Sequence, residues 1–161
     1  MNYFELFGLS VGFHIDQASL NRTYIQLQKK YHPDFHGQDS EEERTNALEQ
    51  SSLVNRAYRT FKSPDLTMQY FLQFKELIEE GEAYKLPPAF LMEVMELNEL
   101  KMDGATKEEV DQKANALQNE IFLEVKDVLD NYDDSLATEK DHIRIIEYYY
   151  KKKYIDRLLA E

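Results

Sequence analysis

The stretch QLQKKYHPDFHGQDSEEE, residues 26–43, holds the end of one predicted helix, a turn and the start of a second helix. Proline disfavours the α-helical conformation in the residue before it, so the first helix is predicted to end near Tyr31 or His32. Ser40 and Glu43 have the spacing of a capping box, which predicts that a new helix opens there. The stretch therefore predicts a helical hairpin that exposes the His-Pro-Asp tripeptide at its tip.

Apolar residues at helical spacing on both sides of the tip support the hairpin. Asp16 can cap the helix before the tip, and the apolar stripe of that helix consists of Leu20, Tyr24, Leu27 and Tyr31. The stripe of the helix after the tip consists of Ala47, Ser51, Val54, Tyr58 and Phe61. Two such stripes joined by a short loop predict helices that pack against each other in antiparallel directions.

The remaining N-terminal sequence is also predicted to be helical. Only five Gly and four Pro interrupt the whole chain, and no segment alternates with a period of two residues. A short helix is predicted from Tyr3 to Phe7, closed by Gly8, and Ser63 with Pro64 is predicted to open a fourth helix.

The segment EEGEAYKLPP, residues 79–88, is predicted to be a linker because it contains one Gly and two Pro. After it, one helix is predicted from near Pro88 to about Met102, and Thr106 with Glu109 forms a capping box for the next. The last helix is predicted to turn one face inward, formed by Ile143, Ile146, Tyr150, Tyr154 and Leu158. We therefore predict an all-α protein with an N-terminal domain at 1–78, a linker at 79–88 and a C-terminal antiparallel three-helix bundle at 89–161.

The composition excludes several classes of protein. The 161 residues include no cysteine, so disulfides, thiolate metal sites and cysteine nucleophiles are excluded. The net charge of −12 opposes binding to nucleic-acid phosphates, and Lys151, Lys152 and Lys153 are predicted to form a solvated helix face. The apolar runs are too short to span a membrane, and we expect the first residues to belong to the fold and not to a signal peptide.

Against this acidic background, residues 17–33 carry Arg22, Lys29 and Lys30 and no acid. This basic segment predicts a binding site for an acidic partner surface. A simpler interpretation also accounts for Lys29 and Lys30, because cations are favoured at a helix C-terminus. The tripeptide at the tip has a similarly simple interpretation, as a helix stop followed by an Asx-type turn.

A catalytic interpretation of the tip is also open. His32, Asp34 and His36 stand at alternate positions, and such ligands with a water molecule could hold a catalytic zinc or iron in a hydrolase. The sequence has no serine in a nucleophile elbow and no Gly-rich phosphate loop. We therefore expect a protein that is not an enzyme and needs no cofactor or metal.

Several stretches together resemble the J-domain of DnaJ-type co-chaperones, over residues 1 to about 75: YFELFGL (3–9), the basic helix, YHPD (31–34) and VNRAYRTFKSP (54–64). The stretches AFLMEVMELNEL (89–100) and KKKYIDRL (151–158) resemble the C-terminal domain of the HscB-type J-proteins of iron–sulfur cluster assembly. General DnaJ-type proteins carry a Gly/Phe-rich linker and a cysteine zinc module, and this chain has neither. The sequence is thus similar to the specialised HscB branch.

The resemblance implies that His32, Pro33 and Asp34 stimulate ATP hydrolysis by a DnaK/HscA-type chaperone, with Arg22, Lys29 and Lys30 in the same chaperone-binding surface. Physical chemistry agrees, because a carboxylate on a rigid loop can accept a charge-assisted hydrogen bond from a partner arginine. Many J-domains have a basic residue after the tripeptide, whereas this chain has Phe35. This departure bears on the choice of chaperone.

The resemblance also implies a surface that binds an IscU-type scaffold protein, formed by Leu91, Met92, Met95, Glu96, Glu99 and Tyr154. The alternative for these apolar residues is the bundle core, which we predict for Val94 and Leu97. A different client protein is the alternative partner. We expect a bacterial cytoplasmic protein that is a monomer or, through Tyr148, Tyr149 or Tyr150, a weak dimer.

Overall fold

The computed structural model describes residues 1–161, and all of its regular secondary structure is helical. The helices are α1 (Tyr3–Phe7), α2 (Gln17–Tyr31), α3 (Glu41–Phe61), α4 (Pro64–Phe74), α5 (Pro88–Met102), α6 (Lys107–Asp130) and α7 (Glu139–Ala160), with one turn of 3-10 helix at Pro33–Phe35 between α2 and α3. The predicted all-α fold is confirmed. The chain forms two compact units, Met1–Lys75 and Glu76–Glu161.

In the first unit, α2 and α3 form the predicted antiparallel hairpin. The Tyr58 hydroxyl donates to Asn21 Oδ1 at 2.7 Å, and one helical turn further along α2 the Tyr24 hydroxyl donates to Asn55 Oδ1 at 2.8 Å. The rings of Tyr24 and Tyr58 stack with 3.9 Å between their centroids. From the first of these contacts to the second, the residue number rises along α2 and falls along α3. The two helices therefore run antiparallel. The core beneath consists of Phe4, Phe7, Leu20, Val54, Ala57 and Phe61.

Capping residues lie at the ends of these helices where the sequence indicates. Asp16 accepts a hydrogen bond from the N–H of Ala18 at 3.2 Å, and Ser63 accepts one from Leu66 at 3.2 Å. Gly8 closes α1 with a φ of 64°, a left-handed conformation that glycine adopts without steric cost. Ser40 forms its half of the predicted capping box by accepting from Glu43 N–H.

The second unit is a bundle of α5, α6 and α7. Gln118 of α6 bonds to Asp156 of α7, and Asp127 of α6 pairs with Arg144 of α7, so these two helices run antiparallel. The core consists of Leu86, Phe90, Val94, Leu97, Val110, Ala114, Leu117, Ile121 and Ile155. None of the helices is both long and apolar enough to cross a membrane.

Part of the segment 79–88 packs onto this bundle. Leu86 belongs to the buried core. The ring of Tyr84 stacks on Tyr150 of α7, with 4.4 Å between centroids and 8° between planes. This segment, which has no helix before Pro88, is therefore held to the second unit by its own side chains.

The predicted inward face of α7 is partly wrong. Ile145 and Ile155 are fully buried, whereas Ile143 is 54% exposed and Tyr154 is 41% exposed. Tyr150 and Leu158 do pack against the core from partly buried positions. Since α7 contacts both α5 and α6, its buried surface is wider than a single stripe and is centred elsewhere.

Candidate partner-binding surfaces

The tip of the α2–α3 hairpin is a short, hydrogen-bonded turn. His32 ends α2 in an extended conformation, and its Nδ1 accepts a hydrogen bond from the N–H of Asp34 at 3.2 Å. The N–H groups of Phe35 and His36 donate to the carbonyls of His32 and Pro33, each at 3.0 Å. These bonds and the fixed φ of Pro33 define the backbone that carries Asp34.

The Asp34 side chain points into solvent and is 86% exposed. Its nearest ionisable neighbour is His32, whose Nδ1 lies 3.6 Å from Asp34 Oδ2. That Nδ1 accepts from the backbone N–H of Asp34 and lies beyond hydrogen-bond distance of its carboxylate. The carboxylate is thus accessible to a cation from outside the chain.

The structure does not assemble the metal site that His32, Asp34 and His36 could have formed. No group of three histidine or acidic side chains in the chain is arranged to hold a metal ion. The ring of His36 turns instead toward Lys30 and Asp39, and both of its nitrogens are hydrogen-bonded there. The structure therefore does not bring the three side chains of this alternative together, and His36 is instead held by Lys30 and Asp39.

The basic side chains of α2 lie on its exposed face. Arg22, Lys29 and Lys30 are all exposed. Ile25 stands between Arg22 and Lys29 at helical spacing and is 55% exposed, although isoleucine is commonly buried. At the tip, Phe35 is 66% exposed. The exposed face of α2 that leads to the tip is thus cationic and carries one accessible apolar side chain, Ile25. The sequence analysis missed Ile25, whose only signal is its position outside the apolar stripe.

On α5, the side chains of one helix divide between the core and solvent. Met92 is 65% exposed and Met95 is 60% exposed, and Glu96 and Glu99 are exposed as well. Leu91 is partly buried and packs against the core. Val94 at 4% and Leu97 at 0% exposure are buried, as predicted. The exposed strip therefore consists of two methionines bordered by acids, with Leu91 at its edge.

Tyr154 of α7 lies close to the N-terminal end of this strip. Its ring meets the buried ring of Phe90 edge-on, with 6.5 Å between centroids. Phe90 is buried and precedes Leu91 in α5, so Tyr154 packs against the N-terminal end of this helix. Tyr148, Tyr149 and Tyr150, the residues predicted for a weak dimer, are all partly buried.

A charge cluster beneath α5 was not predicted. The Lys151 side chain is only 12% exposed, and its Nζ lies 3.3 Å from Glu147 and 3.6 Å from Glu124. The same ammonium lies 5.5 Å from the centre of the Phe90 ring. Burial, together with the negative charges of neighbouring glutamates, raises the pKa of Glu93. The prediction of a solvated lysine face is therefore wrong for Lys151, which helps to join the three helices.

Comparisons with known proteins point to one family. The model of the HSCB C-terminal oligomerisation domain matches residues 86–161. The co-chaperone protein HscB homolog of Psychromonas ingrahamii is 37% identical, with 100% of this chain and 97% of the relative covered. The iron-sulfur cluster co-chaperone protein HscB of Mus musculus is 34% identical over 86% of this chain and 61% of the relative. The structure of the chaperone HscB from Vibrio cholerae superposes with a TM-score of 0.71 at 32% identity, covering 99% of this chain and 94% of that chain.

Proposed function

The chain belongs to the HscB family of co-chaperones, and from this membership we propose that it is a co-chaperone of iron–sulfur cluster assembly. In this proposal its first unit stimulates ATP hydrolysis by a DnaK/HscA-type chaperone. Its second unit binds an IscU-type scaffold protein and delivers it to that chaperone. The chain forms and breaks no covalent bond of a substrate, because it acts by changing the conformational equilibrium of its partner.

The observation that carries the proposal is the exposure of Asp34 on a hydrogen-bonded turn at the end of a basic helix. A carboxylate held in this way can accept two parallel hydrogen bonds from the guanidinium of a partner arginine. The cations of α2 would attract an acidic surface of the chaperone and set the orientation of the encounter.

The exposed strip of α5 supports the second half of the proposal. Methionine side chains are flexible and polarisable, so Met92 and Met95 can adapt to an apolar surface of the scaffold. Glu96 and Glu99 border the methionines and would pair with cations at the rim of the same interface. Two exposed methionines on one helix face are not needed for the bundle core, which is complete without them.

The test of the first half is the steady-state ATPase rate of the purified chaperone with increasing amounts of this protein. We expect Asp34→Asn to reduce the increase in ATPase rate at least about tenfold, because the amide lacks the negative charge that binds the guanidinium. Circular dichroism and scaffold binding should remain unchanged.

The matched control is Asp16→Asn. Asp16 is also exposed and caps α2, and asparagine caps helices as well as aspartate does. We expect this variant to stimulate like the wild type. Full stimulation by Asp34→Asn would refute the assignment of Asp34, and stimulation without any scaffold binding would indicate a different client.

A further inference from the structure

His36, which follows the tip, bridges two hydrogen-bond acceptors. Its Nδ1 lies 2.5 Å from Asp39 Oδ2, and its Nε2 lies 2.7 Å from the carbonyl oxygen of Lys30. A backbone carbonyl and an ionised carboxylate can only accept hydrogen bonds. Both ring nitrogens must therefore donate, and this geometry belongs to the doubly protonated, cationic form of the histidine.

The two acceptors lie at opposite ends of the loop. The Lys30 carbonyl belongs to the last turn of α2, where carbonyl groups lack partners within the helix and a positive charge is favoured. Asp39 directly precedes Ser40, the residue that caps α3. The N–H of Asp39 also donates to the carbonyl of His36 at 3.1 Å. The ring of His36 thus connects the end of α2 with the entry to α3, and the tip lies inside the closed loop.

We propose that His36 is a positioning residue for the tip, and that its cationic ring closes the loop and holds the Asp34 carboxylate in the orientation that the chaperone recognises. This inference rests on the proposed function of Asp34. His36 itself needs no contact with the chaperone, because it acts through the backbone of the turn to which its own N–H is bonded at Pro33.

The charged groups around the ring favour the cation. Asp39 faces the ring from the loop and Glu43 faces it from α3, whereas α2 contributes the Lys30 carbonyl. The hydrogen bonds to Asp39 and Lys30, with the negative charges of Asp39 and Glu43, raise the pKa of His36 above its ordinary value. Burial acts in the opposite direction and is outweighed.

The raised pKa determines whether the closed loop becomes more or less stable as the pH rises. Because the folded protein binds the proton more tightly than the unfolded chain, the closed loop is fully stabilised below the ordinary histidine pKa of about 6.5. This stabilisation is lost as the pH rises through the pKa of folded His36. A neutral ring has one N–H and can satisfy only one of the two acceptors.

The experiment compares wild type with His36→Gln across pH, using the protein concentration that gives half-maximal stimulation of the chaperone ATPase. The ratio of the two concentrations at each pH cancels the pH dependence of the chaperone itself. We expect His36→Gln to need a several-fold higher concentration near pH ~6 and the difference to vanish by pH ~8.5. A purely structural defect would give a ratio that does not depend on pH.

A second measurement follows the histidine ring protons by NMR as a function of pH. We expect His36 to titrate above the ordinary value, and Asp39→Asn to move that titration to lower pH because it removes the anionic acceptor. Unchanged scaffold binding by both variants would show that the second unit is folded.

The outcomes separate this inference from the proposed function. A wild-type protein that stimulates normally, with a ratio independent of pH or a His36 that titrates at or below the ordinary value, would overturn the role of His36 alone. A wild-type protein that fails to stimulate at every pH would overturn the proposed function and the inference with it. Stimulation that weakens with rising pH in wild type but not in His36→Gln would support both.

Discussion

At the scale of single residues, Phe35 is an exposed aromatic side chain at the tip of the hairpin. It follows Asp34 directly, is 66% exposed, and its ring meets His32 edge-on at 6.2 Å between centroids. Aromatic rings bury a large area when they enter an interface and lose little conformational freedom. We therefore interpret Phe35 as an apolar contact with the chaperone, in the position where many J-domains present a cation.

We expect Phe35→Ala to raise the half-stimulating concentration several-fold while the maximal ATPase rate stays the same, because the variant loses binding area and keeps Asp34. Titrations of the chaperone ATPase measure both quantities. The control is Leu136→Ala in the loop between α6 and α7, where an apolar side chain is 76% exposed and far in sequence from the tip. If the two variants behave alike, the Phe35 ring makes no contact with the chaperone.

The sequence indicates the place of the tip but not how the loop closes. Proline stops, capping residues and an absence of acids are local signals, so the end of α2 and its exposed cations could be predicted. The His36 bridge depends on a loop that folds back to the carbonyl of Lys30, six residues earlier in the chain. No spacing rule describes such a closure, and the alternate positions of His32, Asp34 and His36 point instead to a metal site.

At the scale of elements, α5 divides its apolar side chains between solvent and the bundle core. Met92 and Met95 are exposed, whereas Leu91 packs against the bundle core. We expect the double substitution Met92→Ala/Met95→Ala to weaken scaffold binding about tenfold or more. Its effect on the free energy of unfolding should be within about 0.5 kcal/mol, because surface substitutions rarely change stability by more. Calorimetric titration with the scaffold and urea unfolding measure the two effects.

The control for this helix is Met102→Ala, since Met102 is the last residue of α5 and is 77% exposed. We expect it to change neither quantity. Leu91→Ala should reduce both scaffold binding and stability. A variant that combines Leu91→Ala with the methionine substitutions would therefore not separate the effect on binding from the effect on stability. Full scaffold binding by the double methionine variant would place the binding surface elsewhere.

The sequence predicts where the helices begin and end, but it predicts only in part which side of each helix is buried. The start of α5 at Pro88 and the capping box of Thr106 and Glu109 follow from local chemistry, and the structure shows both. The face of α7 was predicted less well, because the apolar residues between 143 and 150 nearly surround the helix. Ile145 is buried and Ile143 is exposed because of where α5 and α6 pack against α7 in space. A single sequence does not reveal that placement.

At the scale of the whole molecule, charge is unevenly distributed. The net charge is −12, yet residues 17–33 contain no acid. An acidic protein with one acid-free basic segment attracts an acidic partner at that segment and repels it over much of its remaining surface. This distribution favours correctly oriented encounters and opposes non-specific binding to nucleic acid. It also explains why the proposed chaperone contact is confined to the first unit, whereas the methionine strip lies in the second.

The two proposed surfaces belong to separate compact units of one chain. In the proposed function one molecule holds chaperone and scaffold together, and the covalent link between the units raises the effective concentration of each partner near the other. We expect a mixture of two full-length variants, Asp34→Asn and Met92→Ala/Met95→Ala, to fail in scaffold-dependent stimulation. Each surface is intact in one of the two proteins, but no single chain carries both.

The measurement is the chaperone ATPase rate at a scaffold concentration well below saturation, with the total amount of co-chaperone held constant. A mixture of wild type with Asp34→Asn serves as the control and should retain the scaffold-dependent increase in proportion to its wild-type content. Recovery of that increase by the two variants together would mean that surfaces on different copies cooperate. Such a recovery would identify an assembly of two or more copies as the unit that performs the proposed delivery.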